Sequence, residues 1–209
     1  MTHKAFQSTN QPPRLFAAVP VPDNIRAALH EIGRRLKDQV RFQKWTHPDD
    51  IHITLKFLGE TPAARVDAVM DALRSAAADT ALQPFELQAA ALGVFGPPAR
   101  PSILWTGLQG DKTSLIQLQS AVEGAMAALG YEREERGYRP HITLARRYNG
   151  SAGFDRKALE TAEELLQSHS LRWTADSITL YRSHLGRTPM YEALAHFPLQ
   201  AAALRSPLA

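Results

Sequence analysis

The chain has 209 residues, 44% hydrophobic and 22% charged, which suits a globular protein with a substantial core and one domain of two lobes. A formal charge of +3 permits a phosphate-bearing partner without demanding one, and zero cysteines exclude disulfides, thiolate metal sites and a cysteine nucleophile. No stretch approaches the length of a membrane span and the first residues lack a signal-peptide core, so a cytoplasmic protein with no membrane partner is expected.

Residues 1–13 are polar, end in Pro12-Pro13 and read as a flexible N-terminal segment; residues 14–200 read as one bilobal domain and 201–209 as a C-terminal tail. Arg14 to Val19 predicts a buried strand. Pro22-Asp23-Asn24 then starts a helix to about Lys37, with Ile25, Leu29, Ile32 and Leu36 on one stripe. Ile51 to Leu58 predicts a strand closed by Gly59, and Thr61-Pro62 fits an N-cap with a first-turn proline opening a helix to about Ala78. Phe85 to Phe95 and Ser102 to Leu108 predict a hairpin around Gly96-Pro97-Pro98. The spacing of Leu115, Leu118, Val122, Met126 and Leu129 predicts a helix over 113–129, ended by Gly130. A strand from His141, a helix from Asp155 to Gln167, and strands at Leu171 to Tyr181 and Met190 to Phe197 complete the order. That order predicts an α+β fold with two similar halves.

The tetrapeptide His-Ile-Thr-Leu occurs twice, at His52 to Leu55 and at His141 to Leu144. A second copy would arise by chance in roughly a few chains per thousand of this length. In an extended strand, side chains alternate faces, so His52 and Thr54 share one face and Ile53 and Leu55 the other, and the second copy repeats the arrangement. The apolar face suits a core, whereas the His/Thr face needs a polar neighbour or a ligand. Two such strands side by side would line one cleft with two imidazoles and two hydroxyls.

Arg14-Leu15-Phe16-Ala17-Ala18, His52-Ile-Thr-Leu-Lys-Phe-Leu-Gly59 and Arg139-Pro-His-Ile-Thr-Leu-Ala-Arg146 together resemble the two-histidine phosphoesterase superfamily. Within it, the match is to the bacterial RNA 2′,3′-cyclic phosphodiesterase branch, also called the 2′-5′ RNA ligase branch, and it includes the Ile103-Leu104-Trp105 strand between the motifs. The resemblance implies two pseudo-symmetric antiparallel sheets flanked by helices with a central cleft. It implies an active-site quartet of His52, Thr54, His141 and Thr143, and chemistry without a metal or other cofactor. The implied reaction is hydrolysis of an RNA 2′,3′-cyclic phosphate to a 2′-phosphomonoester; ligation of tRNA halves through a 2′-5′ bond is the reverse type of reaction.

The chemistry fits these residue types. Opening a cyclic phosphodiester requires the attacking oxygen to lose a proton and the leaving ribose oxygen to gain one. Two imidazoles with ordinary pKa values near 6.5 divide that work, and threonine hydroxyls bond the phosphoryl oxygens. The motif is symmetric and does not itself fix the roles; the reading leans to His141 as base and His52 as acid. Lys56 continues the His52, Thr54 face of an ideal strand, where it is either a cleft-rim charge or a solvated lysine. Arg146 would lie on the opposite face from His141 unless the strand bends, and would then reach phosphate. Arg139 and Tyr138, just ahead of the second motif, are candidates to contact phosphate and to stack on a base, with a plain loop aromatic the alternative for Tyr138. Phe16 fits either core packing or a place near a base.

Metal catalysis usually wants three protein ligands, yet threonine stands two residues after each histidine. The partner that the resemblance implies is RNA, or a nucleotide, with a 2′,3′-cyclic phosphate end, and a monomer is expected. The alternatives are a related enzyme for 2′-5′ oligonucleotides or ADP-ribose cyclic phosphate, and a non-catalytic RNA-end-binding protein. His30, His47, His169, His184 and His196 read as structural.

Overall fold

A computed structural model describes residues 11–79, 82–169 and 171–200. Most of the expected flexible segment and all of the expected C-terminal tail lie outside them. Among the described residues nine strands form one curled antiparallel sheet, with four α-helices. The strands are β1 (Arg14–Pro20), β2 (Phe42–Trp45), β3 (His52–Glu60), β4 (Phe85–Phe95), β5 (Ile103–Gly110), β6 (Ile142–Tyr148), β7 (Arg172–Ala175), β8 (Ser177–Ser183) and β9 (Tyr191–Pro198). The helices are α1 (Asp23–Lys37), α2 (Val66–Ala77), α3 (Lys112–Ala128) and α4 (Glu160–Ser168).

The sheet order is β7-β4-β5-β6-β3-β1-β8-β9, with β2 beside β6. β3 and β6 share one pair of partners, Ile53 and Ile142, and this seam divides the path into two halves of four strands each, with β2 as a ninth strand on the side of β6. The two expected sheets are thus joined edge to edge. Past the seam β3 leaves β6, and Phe42, Lys44 and Trp45 of β2 take over its hydrogen-bonding edge.

Helices α2 and α3 back the first half, and α1 and α4 the second. In α1 the predicted stripe of Ile25, Leu29, Ile32 and Leu36 is buried, each side chain contributing about 1.5–3 kcal/mol. The chain exchanges partners: α1 follows β1 of the first half but packs on β6 and α4, while α3 follows β5 of the second half but packs on β3 and α2. One continuous apolar core results.

Three local expectations change. The run from Leu171 to Tyr181 is two strands: β7 pairs with β4, Asp176 turns the chain, and β8 pairs with β1. Its alternation persists through Ala175, but the sheet has to pass the chain from one half to the other. Thr61 does not cap a helix. It is fully buried, its N–H donates to the Pro13 carbonyl at 2.8 Å, and α2 begins only after a 3-10 turn at Ala63–Arg65. β2 is too short to show a period, and it lacked any expectation.

Lys56 differs most. In β3, Ala18 pairs with Thr54 and Ala17 with Lys56, so Leu55 is an extra residue, a β-bulge, and the faces exchange beyond it. Lys56 turns into the core side, 3% exposed, where its ammonium donates to Glu123 of α3 at 2.8 Å and to the Glu132 carbonyl. Glu123 also accepts the Glu134 N–H at 3.1 Å and the Gln119 amide at 3.3 Å. Removing one partner of such a pair strands the other charge. Lys56→Met should therefore lower the free energy of unfolding by about 3–5 kcal/mol, read from urea denaturation; a wild-type midpoint would show the pair to be dispensable.

Candidate active site

Ile53 and Ile142 are both fully buried, so the residues flanking each of them point to the other side of the sheet, into the cleft. Because the strands are antiparallel, continuing their shared pairing sets His52 beside Thr143 and Thr54 beside His141. All four are half-buried. The quartet predicted from the repeat is thus brought together at the seam.

Both imidazoles are held alike. His52 Nδ1 lies 2.7 Å from the carbonyl oxygen of Asp50, and His141 Nδ1 lies 2.7 Å from that of Arg139, each two residues upstream. A carbonyl only accepts, so Nδ1 carries the proton in both rings and Nε2 is left for proton transfer. In His52 the neutral Nε2 accepts the Thr54 hydroxyl at 3.0 Å.

Aromatic rings wall the site. His52 packs against Phe16 at 4.8 Å, Tyr191 at 5.2 Å and Tyr181 at 5.9 Å between ring centroids. His141 meets Phe95 edge-on at 4.9 Å and Trp105 at 6.5 Å. Gly93 makes the second wall feasible, since a Cβ there would stand 2.2 Å from the Trp105 ring. Burial among these rings pushes the His52 pKa down to about 4. Burial also lowers that of His141, and the positive charge of Arg146 acts in the same direction on both.

Arg146 reaches the cleft face through a bulge. Trp105 pairs with Thr143 and Leu104 with Ala145, leaving Leu144 as the extra residue, so the face exchange brings Arg146 round to the side of His141. The bulge sits on the leucine of the tetrapeptide, as it does in β3. The same step turns Phe57 outward, 58% exposed and 5.9 Å from Phe16. Phe57 follows His52 by the same interval as Arg146 follows His141. That correspondence was available in the sequence and marks Phe57 as a cleft residue.

Tyr138 is part-buried and donates its hydroxyl to the Thr54 carbonyl at 3.0 Å, tying the strand of one histidine to the loop before the other. Burial raises its pKa, which keeps it a phenol and a donor. The Arg139 side chain is exposed at the rim. Phe16, only 2% exposed, belongs to the cleft wall beside His52. His47, His169, His184 and His196 bond to nearby groups away from the quartet. Asp50 and Tyr191 had no sequence signal, because strand pairing and a long-range bond bring them here.

The family model of the 2′-5′ RNA ligase superfamily matches residues 21–187. A protein of Geobacillus stearothermophilus named RNA 2′,3′-cyclic phosphodiesterase is 35% identical over 187 residues, 90% of this chain and 57% of its own length. One of the same name from Bacillus subtilis is 31% identical over 187 residues, 90% of this chain and 97% of its own. In fold alone, the crystal structure of E. coli LigT complexed with 3′-AMP matches with a TM-score of 0.71 at 23% identity, over 91% of this chain and 99% of that one. With its two His-x-Thr strands paired at the seam and a family match across most of its length, the chain belongs to the 2′-5′ RNA ligase superfamily.

Proposed function

We propose that this protein hydrolyses the 2′,3′-cyclic phosphate end of RNA to a 2′-phosphomonoester without a metal. His52 and His141 move the protons, while Thr54, Thr143 and Arg146 bind the phosphate. The observation that carries the reading is the antiparallel seam at Ile53 and Ile142, which gathers two imidazoles with the same Nδ1 anchor around one cleft. The names of the relatives support the substrate class. Among the described residues no three histidine or carboxylate side chains gather as a metal-binding group. One chain supplies both halves of the site, which supports a monomer, and an RNA substrate fits the cytoplasm.

Water attacks phosphorus, the bond from phosphorus to the ribose O3′ breaks, and the phosphate remains on O2′. One imidazole takes the water proton and the other gives a proton to O3′. An imidazolium with a lower pKa is the stronger acid, and an imidazole with a higher pKa is the stronger base. Those relations favour His52, the more deeply buried, as acid and His141 as base. Threonine hydroxyls and the Arg146 guanidinium stabilise charge on the phosphoryl oxygens. Exposed Arg139 at the rim serves an RNA phosphate beyond the scissile one, while Tyr138 fixes Thr54 and lines the cleft.

The direct test is product analysis with 2′,3′-cyclic-phosphate-ended RNA in excess chelator. A 2′-phosphate end is expected. A 3′-phosphate end, or turnover lost to chelator and restored by zinc or manganese, would overturn the reading.

His52→Ala and His141→Ala should each lower kcat by about 10²–10⁴-fold. Replacing the leaving O3′ by sulfur removes the need for an acid, so this substrate should restore His52→Ala and leave His141→Ala impaired. The opposite pattern of rescue would exchange the two roles.

The productive state holds one proton between the two histidines. In the free protein the second proton binds only near the His52 value of about 4, and the first binds below the ordinary 6.5. The bell-shaped profile of kcat/KM should therefore peak below pH 6.5, falling on both sides. Bound phosphate favours imidazolium, so the kcat profile should lie at higher pH. Arg146→Met removes a charge that lowers both pKa values, which should raise KM and move both limbs of the kcat/KM profile upward. An unmoved profile would place Arg146 outside the site.

A further inference from the structure

Asp50 is 6% exposed and sits at the end of the 3-10 turn Pro48–Asp50, with Ile51 between it and β3. Its carboxylate accepts two consecutive backbone N–H groups at the start of β9: Met190 on Oδ2 and Tyr191 on Oδ1, each at 2.9 Å. β9 is separated from β3 in the sheet by β1 and β8, so this contact is made by a side chain across the sheet end. Among the described residues no cation stands within ion-pair distance of Asp50, and the two N–H dipoles hold its charge.

The same residue touches His52 through its main chain. Its carbonyl accepts the Nδ1 proton at 2.7 Å, and Tyr191, whose N–H the carboxylate holds, stands edge-on against the imidazole at 82° between ring planes. We propose that Asp50 is a positioning residue for His52, fixing the imidazole from behind through its carbonyl and from the side through Tyr191. The second motif has no counterpart: its matching residue, Arg139, offers the carbonyl but has an exposed side chain. This proposal rests on the phosphodiesterase reading of the same site, and its test separates the two.

Asp50→Asn keeps the shape and one acceptor but sets an amide NH₂ against one of the two N–H groups. Asp50→Ala leaves both N–H groups unmet. His52 faces Arg146 from β6, His141 just ahead of β6, Tyr181 from β8, Tyr191 from β9 and Thr54 on its own strand. The Asp50 carbonyl bond opposes the lowering of its pKa. Loosening that bond should move the acidic limb of the kcat/KM profile to lower pH. In Asp50→Asn, kcat should fall by about 10–100-fold, the scale of a displaced catalytic group, with KM within about two-fold, a split expected when orientation rather than binding is lost. Asp49→Asn, the neighbouring exposed carboxylate, should match wild type.

Nitrogen NMR of the imidazoles reads positioning without turnover. Wild type should show His52 protonated at Nδ1, and Asp50→Asn should show a mixed tautomer and a lower His52 pKa, with His141 unchanged. If wild type fails to open cyclic phosphates, the functional reading falls while the NMR comparison still decides the proposal. Wild-type kcat and pH profile in a folded Asp50→Asn, or unchanged His52 resonances, would overturn it.

Discussion

The single pairing of Ile53 with Ile142 is the contact on which the cleft depends. Two fully buried isoleucines force their neighbours outward in pairs, and the antiparallel direction crosses them so that each histidine meets the other strand's threonine. The seam is one residue pair long, and along β6 beyond it the pairing edge belongs to β2.

The bulge on each motif leucine extends the symmetry and then breaks it. A strict two-residue alternation would aim Lys56 at the cleft and bury Arg146. Inserting one residue puts Phe57 in the place of Lys56 and Arg146 in the place of Ala145, so one half offers an apolar ring and the other a guanidinium at corresponding positions. The asymmetry that the tetrapeptide lacks begins one turn of the pleat later. It continues in the surroundings of the two rings, three aromatic neighbours for His52 against two for His141, and in Asp50 against Arg139.

The residues whose roles depend on local periodicity were legible in the sequence. The α1 stripe, the β4-β5 hairpin and the four quartet side chains follow from patterns a few residues long. Lys56 misled because a bulge is one inserted residue in an otherwise regular run, and only the partner strand reveals which residue is extra. Asp50 and Tyr191 are separated by most of the chain, and the hydrogen bond that joins them has no periodic trace. The split at Asp176 was hidden for a related reason: β7 and β8 are both ordinary alternating strands, and what divides them is the destination of each.

That one-residue joint bears on how the protein is made. The first half is incomplete until β8 and β9 exist, and the second until β7 exists, yet all three strands lie in the last part of the chain. Neither half can finish its sheet while the ribosome is still synthesising the strands before them. Vectorial folding of one lobe and then the other, the habit of many two-part proteins, is closed to this topology. Both motif strands must wait, with β1 and β4 each lacking a neighbour, until the C-terminal strands emerge, and the two halves of the cleft then mature together.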